Sequence, residues 1–155
     1  MPLDLTFKLV NVNNNCANLS GYAIYLWHNN AEGEYSIYEV EDQNYLRAVA
    51  VTGSDGTVTF KTIFPGCYAT RYPHMHFEIY KTITDATLFN NNVLISQIAM
   101  PEAICNDAYT LAKYGQSASG FLNFHFKVMV YLQIIRPPKS APKQPQYLAV
   151  MRQVM

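Results

Sequence analysis

Alternation of apolar and polar positions organises most of the chain. In "LDLTFKLV" (3–10), Leu3, Leu5, Phe7 and Leu9 alternate with Asp4, Thr6 and Lys8, the period-two pattern of a strand with one buried face. "NVNNNCANLSG" follows as a turn, and "YAIYLWH" (22–28) is more continuously apolar, as in a strand lying deep in a sheet. Residues 29–43, "NNAEGEYSIYEVEDQ", read as a long polar loop carrying Tyr35 and Tyr38. "YLRAVAVT", the turn "GSDG" and "TVTFKTIF" predict a hairpin over 45–64. "HMHFEIYK" (74–81) and "NVLISQIA" (92–99) predict two more strands. "PEAICNDAYTLAK" (101–113) predicts a short helix, with Pro101 in its first turn and Ile104, Ala108 and Leu111 on one face. "FLNFHFKVMVYLQII" (121–135) alternates as a final strand, and "PPKSAPKQPQ" opens an extended proline-rich tail. About seven closely spaced strands and one short helix predict a mainly β protein, an antiparallel β-sandwich with its function on the loops. The expected division is a core over 1–120, a last strand over 121–135 and a tail over 136–155.

Composition narrows the function classes. The 155 residues suit one domain with a sizeable core. Lys+Arg and Asp+Glu balance at 11 each, without a basic cluster, which speaks against nucleic acid as a partner. The longest apolar-rich stretch, 121–135, is broken by Asn123, His125, Lys127 and Gln133, so no membrane span is expected. The chain enters a strand pattern at once, without a leader, which as written predicts a cytoplasmic product; a longer N-terminus would predict an exported one. Cys16, Cys67 and Cys105 lack zinc-knuckle or CxxC spacing and read as buried thiols, with a single bridge left open.

The chemistry concentrates in "GCYATRYPHMHFEIY" (66–80). On a strand over 74–81, His74, His76, Glu78 and Tyr80 share one side, while Met75, Phe77 and Ile79 face the core. Two imidazoles at that spacing can converge on one metal ion. The competing reading is a pair of surface or hydrogen-bonded histidines. A zinc hydrolase built on the pair would need a third histidine or a carboxylate and an open water position. Tyr38, Tyr72 and Tyr80 read as shell or core aromatics, His28 as a loop residue or a neighbour of the site, and His125 as an outward strand residue.

Three motifs in order carry a family resemblance: "GEY" ending at Tyr35, "FKTIFPGCY" ending at Tyr68, and "RYPHMH" from Arg71 to His76. With "GYAIYLWHNNAEGEYSIY" and "SQIAMPEAICNDAY" around them, most of residues 3–118 resembles the intradiol ring-cleavage dioxygenases, relatives of catechol and protocatechuate dioxygenases. The resemblance implies a non-haem Fe(III) held by Tyr35, Tyr68, His74 and His76, a hard cation suited to anionic oxygen and imidazole. It implies a small aromatic diol and O2 as substrates, in aromatic catabolism, with a homo-oligomer left open. It also implies that Tyr35 gives way to substrate and acts as base, that Arg71 stabilises negative charge on the substrate, and, more loosely, that Gln97 lines the pocket. A bridge between Cys16 and Cys105 is compatible with some exported relatives. The alternatives are a catalytically decayed member and a non-enzymatic, transthyretin-like binding module.

The chain departs from the pattern in three places. Relatives carry a segment upstream of the first strand, so Met1 reads as an internal methionine. Ala48 and Ala50 stand where relatives tend to carry Gly and Gln. The resemblance stops near Gly120: read one base earlier, permitted codons for Lys127 onward give Ser-Asp-Gly-Ile-Phe-Ala-Asp-Asn-Thr, close to the segment with which relatives end. A frameshift from about Phe121 is the expectation, and resequencing across the junction tests it.

Overall fold

The computed structural model describes residues 1–68 and 70–122, and the backbone of 147–151. Two antiparallel sheets form it. The first holds β1 (Pro2–Asn11) paired with β2 (Ala17–Asn18), β5 (Thr57–Ile63) and β8 (Tyr147–Met151); the second runs in the order β4 (Arg47–Val51), β3 (Ala23–Trp27), β6 (His74–Tyr80), β7 (Leu94–Ala99). The alternation in β1 does what it predicts. Phe7 and Leu9 are fully buried, and Phe7 packs edge-on to Phe60 of its own sheet and to Phe77 of the other, at 5.8 and 5.3 Å between ring centres. These rings, with Ile24, Leu26, Met75 and Ile79, fill the layer between the sheets. Among the described residues no helix is long and apolar enough to cross a membrane.

The hairpin expected over 45–64 is not formed. β4 pairs with β3 in one sheet and β5 with β1 in the other, so "GSDG" carries the chain between layers. The local sequence could not show this, because a two-strand turn and a corner between sheets use the same residues. Gly53 and Gly56 close the turn, and Gly56 sits at φ +75° with the Leu9 carbonyl only 2.6 Å from where a Cβ would stand. Thr52 fixes the corner by donating its hydroxyl to the Leu19 carbonyl and accepting the Tyr22 amide.

The predicted helix is shorter than expected. α1 spans Glu102–Ala108, with Pro101 capping it rather than inside its first turn, and it buries Cys105 and Ala108. Leu111 lies past its end and is exposed. A second short helix, α2 (Gly115–Phe121), was not foreseen, because "GQSASGF" has little apolar periodicity. Phe121 therefore closes a helix. Residues 123–135 of the expected last strand, including His125, and residues 136–146 of the tail lie outside the described residues, as does most of the segment expected to be frameshifted.

Cys16 is exposed in the turn between β1 and β2, Cys67 and Cys105 are buried, and all three are free thiols. His28 is a core residue: 1% exposed, it donates from Nδ1 to the Asn29 carbonyl and accepts from the Thr62 hydroxyl at Nε2. Burial pushes it down to about 4, opposed by the bond to Asn29. An unfolded histidine titrates near 6.5, so as pH falls the unfolded chain takes the proton first. The stability His28 supplies is complete above about pH 6.5 and is lost as pH drops towards 4, amounting to about 3 kcal/mol. Urea midpoints at pH 7 and 4.5 should differ for the wild type and differ clearly less for His28→Gln. Equal differences would exclude His28 as a source of the acid sensitivity.

Candidate metal centre

The two imidazoles stand on the outer face of the second sheet, where β6 turns Met75, Phe77 and Ile79 inward. Their orientation is set locally. The Tyr72 carbonyl, which can only accept, faces His74 Nδ1 at 2.7 Å, so that nitrogen carries the proton and Nε2 keeps its lone pair. That lone pair points at His76 Nε2, 3.1 Å away, and at the Tyr35 hydroxyl, 3.4 Å away. Tyr68 lies edge-on to both His74 and Tyr35, with 5.9 Å between ring centres in each case. All four candidate ligands therefore meet at one place: Tyr35 from the 28–46 loop, Tyr68 from the loop after β5, and the two histidines from β6.

Burial favours the uncharged forms of Tyr35, His74 and His76. Burial raises the Tyr35 phenol well above the usual tyrosine range, Tyr68 adds to the shift, and Arg71 opposes it. His76 is lowered to about 4, first by burial, then by His74, Arg71 and Arg47. His74 is lowered by burial and by Arg71, against its bond to Tyr72. Neutral imidazoles are the form that binds metal. Two nitrogens each about 2.1 Å from one ion lie roughly 3.0–3.4 Å apart for angles between octahedral and tetrahedral, and the observed 3.1 Å falls within that interval. Among the described residues no three His, Cys, Asp or Glu side chains group as a metal site. Glu78, on the same face, is buried and accepts the Tyr80 hydroxyl instead. The donors beside the histidines are phenols, a set suited to a hard ferric ion and without the third ligand a zinc hydrolase would need.

Several residues that build the site gave no signal in sequence. Ser117 of α2 binds both tyrosine-bearing loops, accepting the Cys67 amide at 2.8 Å and donating to the Ala31 carbonyl at 2.7 Å. Tyr109 and Tyr114 donate to the Pro65 and Phe64 carbonyls, fixing the approach to Tyr68. Trp27 lies flat on His76, 4.9 Å between centres and 9° between planes. Arg71 donates to Gln97 at 2.7 Å, which joins the two residues that the resemblance places at the pocket. Ser117→Ala should cost about 2 kcal/mol, since it strands the buried Cys67 amide and the partly buried Ala31 carbonyl, and should lower the melting temperature by about 4–8 °C. An unchanged melting temperature would show that the loops are held by other contacts. A separate cavity of about 540 Å³ opens between the edges of β4 and β5, and none of the four candidate ligands lines it.

The comparisons with known proteins agree with this architecture. The chain is similar to the intradiol ring-cleavage dioxygenase from Tetranychus urticae, at 30% identity over 74% of this chain and 59% of that one, with a TM-score of 0.64. It is similar to the dioxygenase Tetur07g02040, at 29% identity over 76% of this chain and 60% of that one, TM-score 0.65. The dioxygenase domain of a dioxygenase carbohydrate-binding protein fusion from Streptomyces sp. SirexAA-E matches at 26% identity over 65% of this chain and 57% of that one, TM-score 0.53. The chain thus spans about three-fifths of the length of these solved relatives. No family profile and no curated protein matches it. The two-sheet β-sandwich is similar to that of solved intradiol ring-cleavage dioxygenases.

Proposed function

We propose that this protein is an Fe(III)-dependent dioxygenase that inserts O2 between the two hydroxyl-bearing carbons of a catechol-type ring. The observation that carries the reading is the meeting of His74 Nε2, His76 Nε2 and the Tyr35 hydroxyl within 3.4 Å, with Tyr68 beside them, on a fold similar to solved intradiol dioxygenases. A ferric ion held by these four residues would make a chelated diol electron-poor and open to reaction with O2. The chain's own groups divide the remaining work. Tyr35 would be held as tyrosinate by the ion, and on release could take up a proton from an incoming diol hydroxyl and return to the neutral phenol that burial favours. Arg71, steered by Gln97, supplies a fixed cation against the negative charge of the bound diolate. Burial around the two imidazoles keeps them deprotonated and available.

Oxygen uptake by the purified, ferric-loaded protein with catechol, hydroxyquinol or protocatechuate tests the reaction. Uptake with formation of a ring-opened dicarboxylate supports it. Iron bound stoichiometrically with no uptake from any of the three diols replaces it with the decayed-enzyme or binding-module reading.

A further inference from the structure

Arg47 lies outside the three motifs, yet its guanidinium links the loop that carries Tyr35 to the sheet that carries His76. It stands opposite Trp27 across the β3–β4 pairing. Nε donates to the Ser36 hydroxyl at 3.0 Å, Nη2 to the Ser36 carbonyl at 2.7 Å, and Nη1 to the Tyr25 hydroxyl at 2.9 Å. Its cationic carbon also sits 4.8 Å over the Tyr38 ring. Ser36 directly follows Tyr35, and Tyr38 is edge-on to Tyr35 at 6.1 Å. On the other side, Tyr25 stacks on Trp27 at 5.0 Å and 23°, and Trp27 stacks on His76. The contacts close a circuit: Tyr35, Ser36, Arg47, Tyr25, Trp27, His76, and back to Tyr35, whose ring is 5.8 Å from that of His76.

The form of the connection shows what it does. All three bonds end on uncharged oxygens, two on the loop and one on the sheet, so the rigid fork matters more than the charge. Ser36 is itself tied down, donating to the Tyr45 carbonyl at 2.6 Å. The loop is under backbone constraint, with Ile37 at φ +71°, a conformation a β-branched residue adopts only when its surroundings impose it. The fork adds a rigid tie between the loop that carries the phenol and the strands beside the imidazole, behind the direct contacts of Tyr35 with His74 and His76.

We propose that Arg47 is the positioning residue of the metal centre, holding the Tyr35 loop in register with His76 through the Tyr25–Trp27 stack. This inference rests on the ferric reading above. The test uses the full chain with Arg47→Gln, Arg47→Lys and Ser36→Ala, and reads ferric-ion affinity and the position of the tyrosinate-to-iron absorption band. It also reads emission from Trp27, the only tryptophan, in the metal-free protein. Arg47→Gln and Arg47→Lys should each weaken ferric binding by about 10–100-fold, the range seen when partners behind metal ligands are lost, with a shifted band and altered emission. Failure of Lys to rescue separates a geometric fork from a mere positive charge. Ser36→Ala keeps the cation and serves if the Arg47 variants do not fold; it should weaken binding severalfold. Affinity within twofold of wild type, with band and emission unchanged, in Arg47→Gln or in Ser36→Ala, overturns the proposal, as does full rescue by Lys. A wild type that takes up no ferric ion overturns the metal reading itself, and this one with it.

Discussion

His76→Ala should abolish stoichiometric iron binding, visible colour and oxygen uptake together, while leaving a folded protein. The ring is half-buried on the outer face of β6, so the strand and the core beneath it do not depend on it. What disappears is one of the two nitrogens, 3.1 Å apart, that the proposed ion would share, together with the surface on which Trp27 stacks. Residues that only support metal ligands change affinity by about 10–100-fold, and a direct ligand should exceed that, so a loss of at least about 100-fold is expected. Iron titration of the variant, alongside a circular-dichroism melt, checks it. Retention of tight iron binding by the folded variant would remove His76 from the ligand set.

The second large effect concerns backbone. Gly66→Ala should destabilise the protein by about 3 kcal/mol and lower its melting temperature by roughly 6–12 °C, with loss of iron binding at temperatures where the fold survives. A Cβ there would stand 2.5 Å from the Asn30 carbonyl, 2.7 Å from the Gly33 amide and 2.8 Å from the Ser117 hydroxyl. Two of these are main-chain atoms of the loop that carries Tyr35, and Gly66 itself donates to the Asn30 carbonyl at 2.9 Å. The added methyl would therefore wedge apart the two tyrosine loops. Thermal melts of the variant, with and without ferric ion, measure both parts. A melting temperature within about 2 °C of wild type would show that the loops can separate at little cost.

The sequence was legible where a pattern has one physical cause. Alternation in β1 and β6 reports which side chains enter the layer between the sheets, Phe7, Leu9, Met75, Phe77 and Ile79, although His74, Glu78 and Tyr80 on the other face of β6 are buried as well. The His-x-His pair follows from the same rule, since residues two apart on a strand share a face. Signals with two causes misled. "GSDG" between two β-patterns fits a hairpin and a corner between sheets equally well, and only the tertiary pairing of β4 with β3 and of β5 with β1 separates them. Other features have no one-dimensional signature. Ser117 is one of two serines in a bland helix until the fold brings it beside Cys67 and Ala31. Arg47 reads as a polar interruption in an apolar run until Ser36 and Tyr25 converge on it.

The visible spectrum of the purified protein, taken with its iron content after loading with Fe(III) under native conditions, addresses the ligand set most directly. Two tyrosinates on ferric ion should give a burgundy protein with about one iron per chain, and the band should weaken and shift in Tyr68→Phe. A wild-type protein that stays colourless, or one whose colour is untouched by that substitution, would contradict the assignment of these phenols and imidazoles to a common ion.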